Sequence, residues 1–193
     1  MNLDKRGVFF LALLPLLWIS WVAFHNTLGA NPVERVIHFT GLWTLYFLLI
    51  TLSITPLRRL LGWNALLRIR RMLGLFAFFY GTLHLLSYAG IDQWFTWQAI
   101  IHDIVKHPYI LIGVSGYVLM LPLDLTSNAW AVSKLKARWK QLHRLAYVVP
   151  ALGVLHFAWL VKKDMNEPLL YGALLLVLLA LRLPLFSQWR FSR

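Results

Sequence analysis

An all-α bundle of six membrane-spanning helices, with both termini on the cytoplasmic side, is the fold predicted for this 193-residue chain. Three observations predict it. Hydrophobic residues make up 60% of the chain and its mean hydropathy is +0.65, whereas soluble domains run at about 45–50% apolar. The apolar residues gather in runs long enough, or nearly so, to cross a bilayer, which takes about 20 residues of helix. Of the 19 lysines and arginines, all but Arg35, Lys106, Lys162 and Lys163 fall in alternate connections or at the termini. Positive residues stay in the cytoplasm, and this asymmetry sets the orientation.

The elements follow in order. After a short polar start with Lys5 and Arg6, residues 7–28 form the first span, kinked at Pro15. It is read as a span and not as a cleaved leader, because the run is long and leads into a second membrane segment. The GANP run at 29–32 is a turn, and residues 37–56 form the second span, with His38 near its outer edge. A basic connection carries Arg58, Arg59, Arg68, Arg70 and Arg71 before the third span, residues 72–90, which holds His84. Near residues 92–106, Trp94, Trp97, Ile101 and Ile104 recur every three or four positions. This pattern predicts a short interfacial helix on the periplasmic side. Pro108 suits the first turn of the fourth span, residues 108–123, where Gly113 and Gly116 admit a close neighbour. A polar, basic connection with Lys134, Lys136, Arg138 and Lys140 leads to the fifth span, residues 140–162. Pro168 begins the sixth, residues 168–186, and a basic tail follows. No repeat of fixed period and no soluble domain is read.

Composition excludes several chemistries. There are no cysteines, so disulfides, thiol catalysis, Cys-ligated zinc and protein-bound iron–sulfur clusters are out. The net charge of +12 lies in connections between apolar runs, so a lipid bilayer accounts for it and a nucleic-acid partner does not.

The chemistry is read from histidines. The stretch WKQLHRLAYVVPALGVLHFAWLVKK, residues 139–163, reads as one helix carrying His143 and His156, roughly 20 Å apart along its axis. An ionisable residue inside a membrane helix is a functional hypothesis by default. His84 lies thirteen residues past the inner end of its span, and His156 lies thirteen past His143 on a span running the same way, so the two share a depth. Neutral imidazole is a normal axial ligand of haem iron, and a haem between His84 and His156 is the expectation. The plainer reading has each histidine hydrogen-bonded within the bundle. A rival function is a proton or solute carrier in which His84, His143 and His156 form a relay without haem. His38, at the depth of His84, is a candidate contact for a haem propionate or a quinone head group. Arg70, Arg71 and Arg144 are read first as obeying the charge rule, and second as partners of propionates or a flavin phosphate. His143 and His156 on one ideal helix would point about 140° apart, and Pro150 midway is expected to correct their facing.

The runs RRMLGLFAFFYGTLHLLSY (70–88), NPVERVIHFTGLWTLYFLLITLSITPLRR (31–59) and RWKQLHRLAYVVPALGVLHFAWLVK (138–162) resemble MsrQ, the haem-binding subunit family of the bacterial periplasmic methionine sulfoxide reductase system. The plan also resembles the wider ferric-reductase-like transmembrane group, over 1–193 as a single domain. The resemblance implies a multi-pass b-type cytochrome of the bacterial inner membrane, with His84, His143 and His156 matching haem histidines on one haem b, or two. It implies electrons from the quinol pool, or from a flavin such as FMN served by a cytosolic flavin reductase. It implies delivery to a periplasmic molybdopterin-containing methionine sulfoxide reductase subunit that repairs oxidised proteins, with no substrate chemistry on this chain. The wider group has two histidines on each of two helices. Here Arg70 stands where the fourth is expected, so an inner haem lacks an obvious second ligand.

Overall fold

The computed structural model describes residues 4–161 and 164–182, and among them every regular element is helical. Lys162, Lys163, the last residues of the expected sixth span and the basic tail lie outside the described residues.

Helix α1 spans Lys5–Phe24 and is capped by the Asp4 carboxylate, which accepts from Arg6 N at 3.0 Å. Pro15 lies inside it, and a side chain of another helix reaches into the backbone there. The Tyr80 hydroxyl donates to Ala12 O at 2.9 Å and accepts from Leu16 N at 3.1 Å, taking the place of one rung of the α1 ladder. Helix α2 runs Pro32–Leu61, with Asn31 as its cap and Gly62 ending it at φ +73. It is longer at both ends than the expected span. Pro56 leaves the Leu52 carbonyl without its helical donor, and the Arg182 guanidinium supplies one while its other arm donates to Tyr147 Oη. Helix α3, Leu67–Leu86, continues through a π-helical turn at Ser87–Asp92.

Trp94 and Phe95 then take positive φ, so the interfacial helix starts later than expected: α4 is Trp97–Lys106. Its apolar stripe of Trp97, Ile101 and Val105 is exposed, as a helix lying at a membrane surface requires, and Ile100 is buried beneath it. Helix α5 is Pro108–Leu125. The basic connection after it is itself helical in part, as α6, Ala129–Leu135, and α7, Ala137–Leu142. Helix α8 is Leu145–Leu160 and α9 is Asn166–Ala180.

One expectation fails here. Residues 139–163 are not one helix, because the chain turns at His143–Arg144. Trp139 Nε1 donates to Thr126 O at 3.0 Å, and His143 Nε2 bonds Thr126 Oγ1 at 3.0 Å. These two ties fold the start of the segment onto the end of α5. The facing of His143 is set by that turn, and Pro150 sits inside α8.

Four stretches are long and apolar enough to cross a membrane: Lys5–Phe24, Pro32–Leu61, Asn64–Asp92 and Pro108–Leu125. Helices α8 and α9, with 16 and 15 residues, fall below that length within the described chain. The chain is thus a multi-pass helical membrane protein. The core accords with that. Phe47, Phe76 and Tyr80 stack at 5.2–5.6 Å between α2 and α3, and Leu45, Leu49 and Leu52 of α2 meet Leu175 and Leu178 of α9. Large side chains on the outside, such as Phe10, Trp21, Leu169 and Leu176, are exposed as lipid-facing residues are.

Candidate functional site

Helices α2 and α3 form one pair, α5 and α8 a second, and the site lies between the pairs. His84 on α3 reaches across to α2, where its Nδ1 lies 2.9 Å from Ile37 O. His156 on α8 reaches across to α5, where its Nδ1 lies 2.6 Å from Tyr109 O. In both cases the histidine follows its acceptor by 47 residues. Both also meet a glycine four residues past the acceptor: a Cβ on Gly41 would lie 3.1 Å from the His84 ring, and one on Gly113 would lie 2.8 Å from His156 Nδ1. The missing side chains let the Nδ1 edge of each imidazole come up against the neighbouring helix and reach its carbonyl. The two halves therefore repeat one local design, which sequence reading missed because apolar filler hides it.

A carbonyl only accepts, so each Nδ1 carries the hydrogen and each Nε2 keeps a lone pair. The ring centroids are 6.1 Å apart at 76°. A metal at about 2.0 Å from each of two facing imidazole nitrogens puts ring centres roughly 6 Å apart. Both rings line one cavity of about 470 Å³ with apolar walls that include Leu45, Leu48 and Met120. The donor set, its spacing and its tautomer fit axial ligation of a haem. No group of three or more His, Asp or Glu that could hold a bare metal ion occurs among the described residues. His38 stands at the cavity mouth beside Glu34, 3.8 Å away, with Asp92 and Asp103 also lining it.

A second cavity of about 530 Å³ lies at the opposite end of the same four helices. Leu48 and Met120 line both cavities. The second is bordered by Arg70, Arg71, Asp124, Trp139 and His143. His143 differs from the other two histidines. Thr126 Oγ1 gives its hydrogen to Pro122 O, so the contact to His143 Nε2 requires that nitrogen to donate. Its lone pair is then on Nδ1, and the ring is stacked on Trp139 at 3.9 Å. The structure thus joins His84 with His156 and holds His143 at a separate site with Arg70 and Arg71. Arg144 is exposed and lines neither cavity. His25, bonded to Trp21 O, also stands outside both. Sequence reading missed Gly41 at the first cavity, Asp124 and Trp139 at the second, and Thr126, which bonds His143 and Trp139 beside it. A carboxylate at the end of an apolar run was the available signal for Asp124.

Comparison with known proteins adds the following. Residues 39–154 match the family described as ferric reductase like transmembrane component. A protein of Herminiimonas arsenicoxydans is 46% identical over 193 residues, covering 98% of this chain and 88% of the relative. One of Rhodospirillum rubrum is 50% identical over 183 residues, covering 94% and 88%. One of Azospira oryzae is 48% identical over 180 residues, covering 92% and 77%. Each of the three relatives is named protein-methionine-sulfoxide reductase heme-binding subunit MsrQ.

Proposed function

The chain belongs to the MsrQ family, and from that premise we propose that it is a membrane b-type cytochrome whose haem is held between His84 and His156. The observation that carries this is the imidazole pair 6.1 Å apart with both Nδ1 atoms tied to backbone carbonyls. Those ties orient the rings, fix the tautomer and raise the basicity of each Nε2. Bound haem supplies a one-electron carrier inside the bundle. The apolar walls around the pair exclude water from it, and Leu48 and Met120 bring its cavity against the second one. His38, half exposed at the mouth, is the side chain best placed for a propionate.

Electrons enter at the second cavity, from the quinol pool or from reduced FMN served by a cytosolic flavin reductase. Arg70 and Arg71 offer the bidentate contacts that a phosphate or carboxylate takes. They leave at the His84–His156 end to a periplasmic molybdopterin-containing subunit that reduces methionine sulfoxide in oxidised proteins of the bacterial envelope. The protein is taken to lie in the inner membrane with six spans, and the distribution of Lys and Arg supports both termini being cytoplasmic.

Two measurements test this reading. Membranes enriched in the protein should be red, with the reduced-minus-oxidised bands of a low-spin b cytochrome; a folded, colourless protein would point instead to the histidine-relay carrier. For topology, a reporter active only in the periplasm and fused at Lys134 should be silent. Activity there would invert the orientation and put the haem at the wrong face for a periplasmic acceptor.

A further inference from the structure

Asp124 is the one acidic residue among those bordering the second cavity. It lies at the last turn of α5, and no hydrogen bond to its carboxylate occurs among the described residues. The other acids described, Asp4, Glu34, Asp92, Asp103, Asp164 and Glu167, do not border this cavity. A carboxylate on a membrane helix is costly to keep, and it marks a proton path or a ligand site. The remaining charged or titratable groups bordering the cavity are Arg70, Arg71 and His143, and its walls are apolar, with Phe78 and Leu123 among them. An apolar cavity bordered by a carboxylate that accepts no hydrogen bond and has the Arg71 charge nearby suits a ring compound that loses protons when it is oxidised.

We propose that Asp124 is the proton acceptor for oxidation of a hydroquinone in this cavity. The inference rests on the electron-input reading above and adds the residue that does the chemistry. Hydroquinone oxidation to quinone releases two electrons and two protons. One O–H bond would break as its proton passes to an Asp124 carboxylate oxygen, and the electron released with it would go to the haem that His84 and His156 would hold, which supplies the one-electron acceptor. Asp124 then releases its proton through the cavity mouth beside Arg70 and Arg71. The second proton and electron follow by the same route once the first electron has left for the acceptor. The carboxylate touches the donor, so it is a catalytic residue and not a brace for the fold.

The test uses the haem-loaded full chain in nanodiscs, with decyl-ubiquinol as the donor and haem reduction followed in the visible bands. D124N should slow quinol-driven reduction by about 100-fold or more, the scale of lost general-base assistance. It should also remove the solvent deuterium isotope effect on that step. Complete reduction by dithionite and an unchanged spectrum should show that the haem site is intact, and D124E should restore most of the rate. Quinol-driven reduction of D124N within about twofold of the parent, with the isotope effect kept, overturns the assignment. A parent protein that dithionite reduces and decyl-ubiquinol does not would overturn the hydroquinone donor along with it, while leaving the His84–His156 haem standing. A parent without haem is the distinct failure of the reading beneath.

Discussion

Replacing His156 or His84 by alanine should each abolish the low-spin b-type spectrum and lower haem content at least about tenfold, with the protein still inserted. The physical reason is the two-sided character of the site. Each of the two imidazoles, with ring centroids 6.1 Å apart, would supply one lone pair, and the loss of either would leave a single ligand. No cysteine exists to substitute. Met120 lines the same cavity, but it lies seven residues beyond Gly113 on α5, about 10 Å along the axis from the point that the His156 ring touches. Its thioether is therefore out of axial reach. The fold should survive because α5 and α8 also pack away from the ring, through Gly116 against Leu152 for example. Immunodetection in the membrane fraction with a haem-to-protein ratio reads the two effects separately. Added imidazole should return part of the low-spin signal, which a merely structural role for the ring would not produce. Unchanged spectra in both variants would end the ligand assignment.

The closeness of His84 and His156 was legible because depth in a membrane helix is a linear function of residue number. Two histidines equally far from the basic ends of co-directed helices must share a level, and the structure brings their rings together. The turn at His143–Arg144 was not legible. Residues 137–160 contain no glycine or proline near position 143, so nothing local predicts a break. The break comes from Thr126, whose hydroxyl and carbonyl draw His143 and Trp139 onto the end of α5. Tertiary hydrogen bonds of this kind leave no periodicity to read. Pro15 and Pro56 give the converse case. Proline announces a missing helical donor, but only the folded chain shows that Tyr80 and Arg182 reach into α1 and α2 near those prolines. The second cavity was partly legible through Arg70, Arg71 and His143. Asp124 escaped because the expected span ended one residue before it.

Substituting Gly113 by alanine should cost the site more than substituting Gly41, although both changes add a single methyl group. A Cβ at Gly113 would lie 2.8 Å from His156 Nδ1 and 2.9 Å from Cε1, closer than real contacts allow, whereas at Gly41 the nearest approach to His84 is 3.1 Å. The ring at position 156 has little freedom to retreat, because its Nδ1 is held 2.6 Å from Tyr109 O. Moving it breaks that bond, releases the tautomer and turns Nε2 off the axis shared with His84. Loss of a partner that orients a metal-bound histidine typically weakens metal binding about 10–100-fold. Gly113→Ala should therefore lower haem occupancy by a factor in that range or shift the midpoint potential, and Gly41→Ala should do less of either. Both glycines are inside helices, where alanine is more favourable by up to about 1 kcal/mol, but at Gly113 the broken Tyr109 bond offsets that gain, so the haem-free Gly113→Ala protein should gain no heat resistance over the parent. Full occupancy and a parental midpoint in Gly113→Ala would mean that the ring has room the geometry denies it, and the glycine would then be only a helix contact.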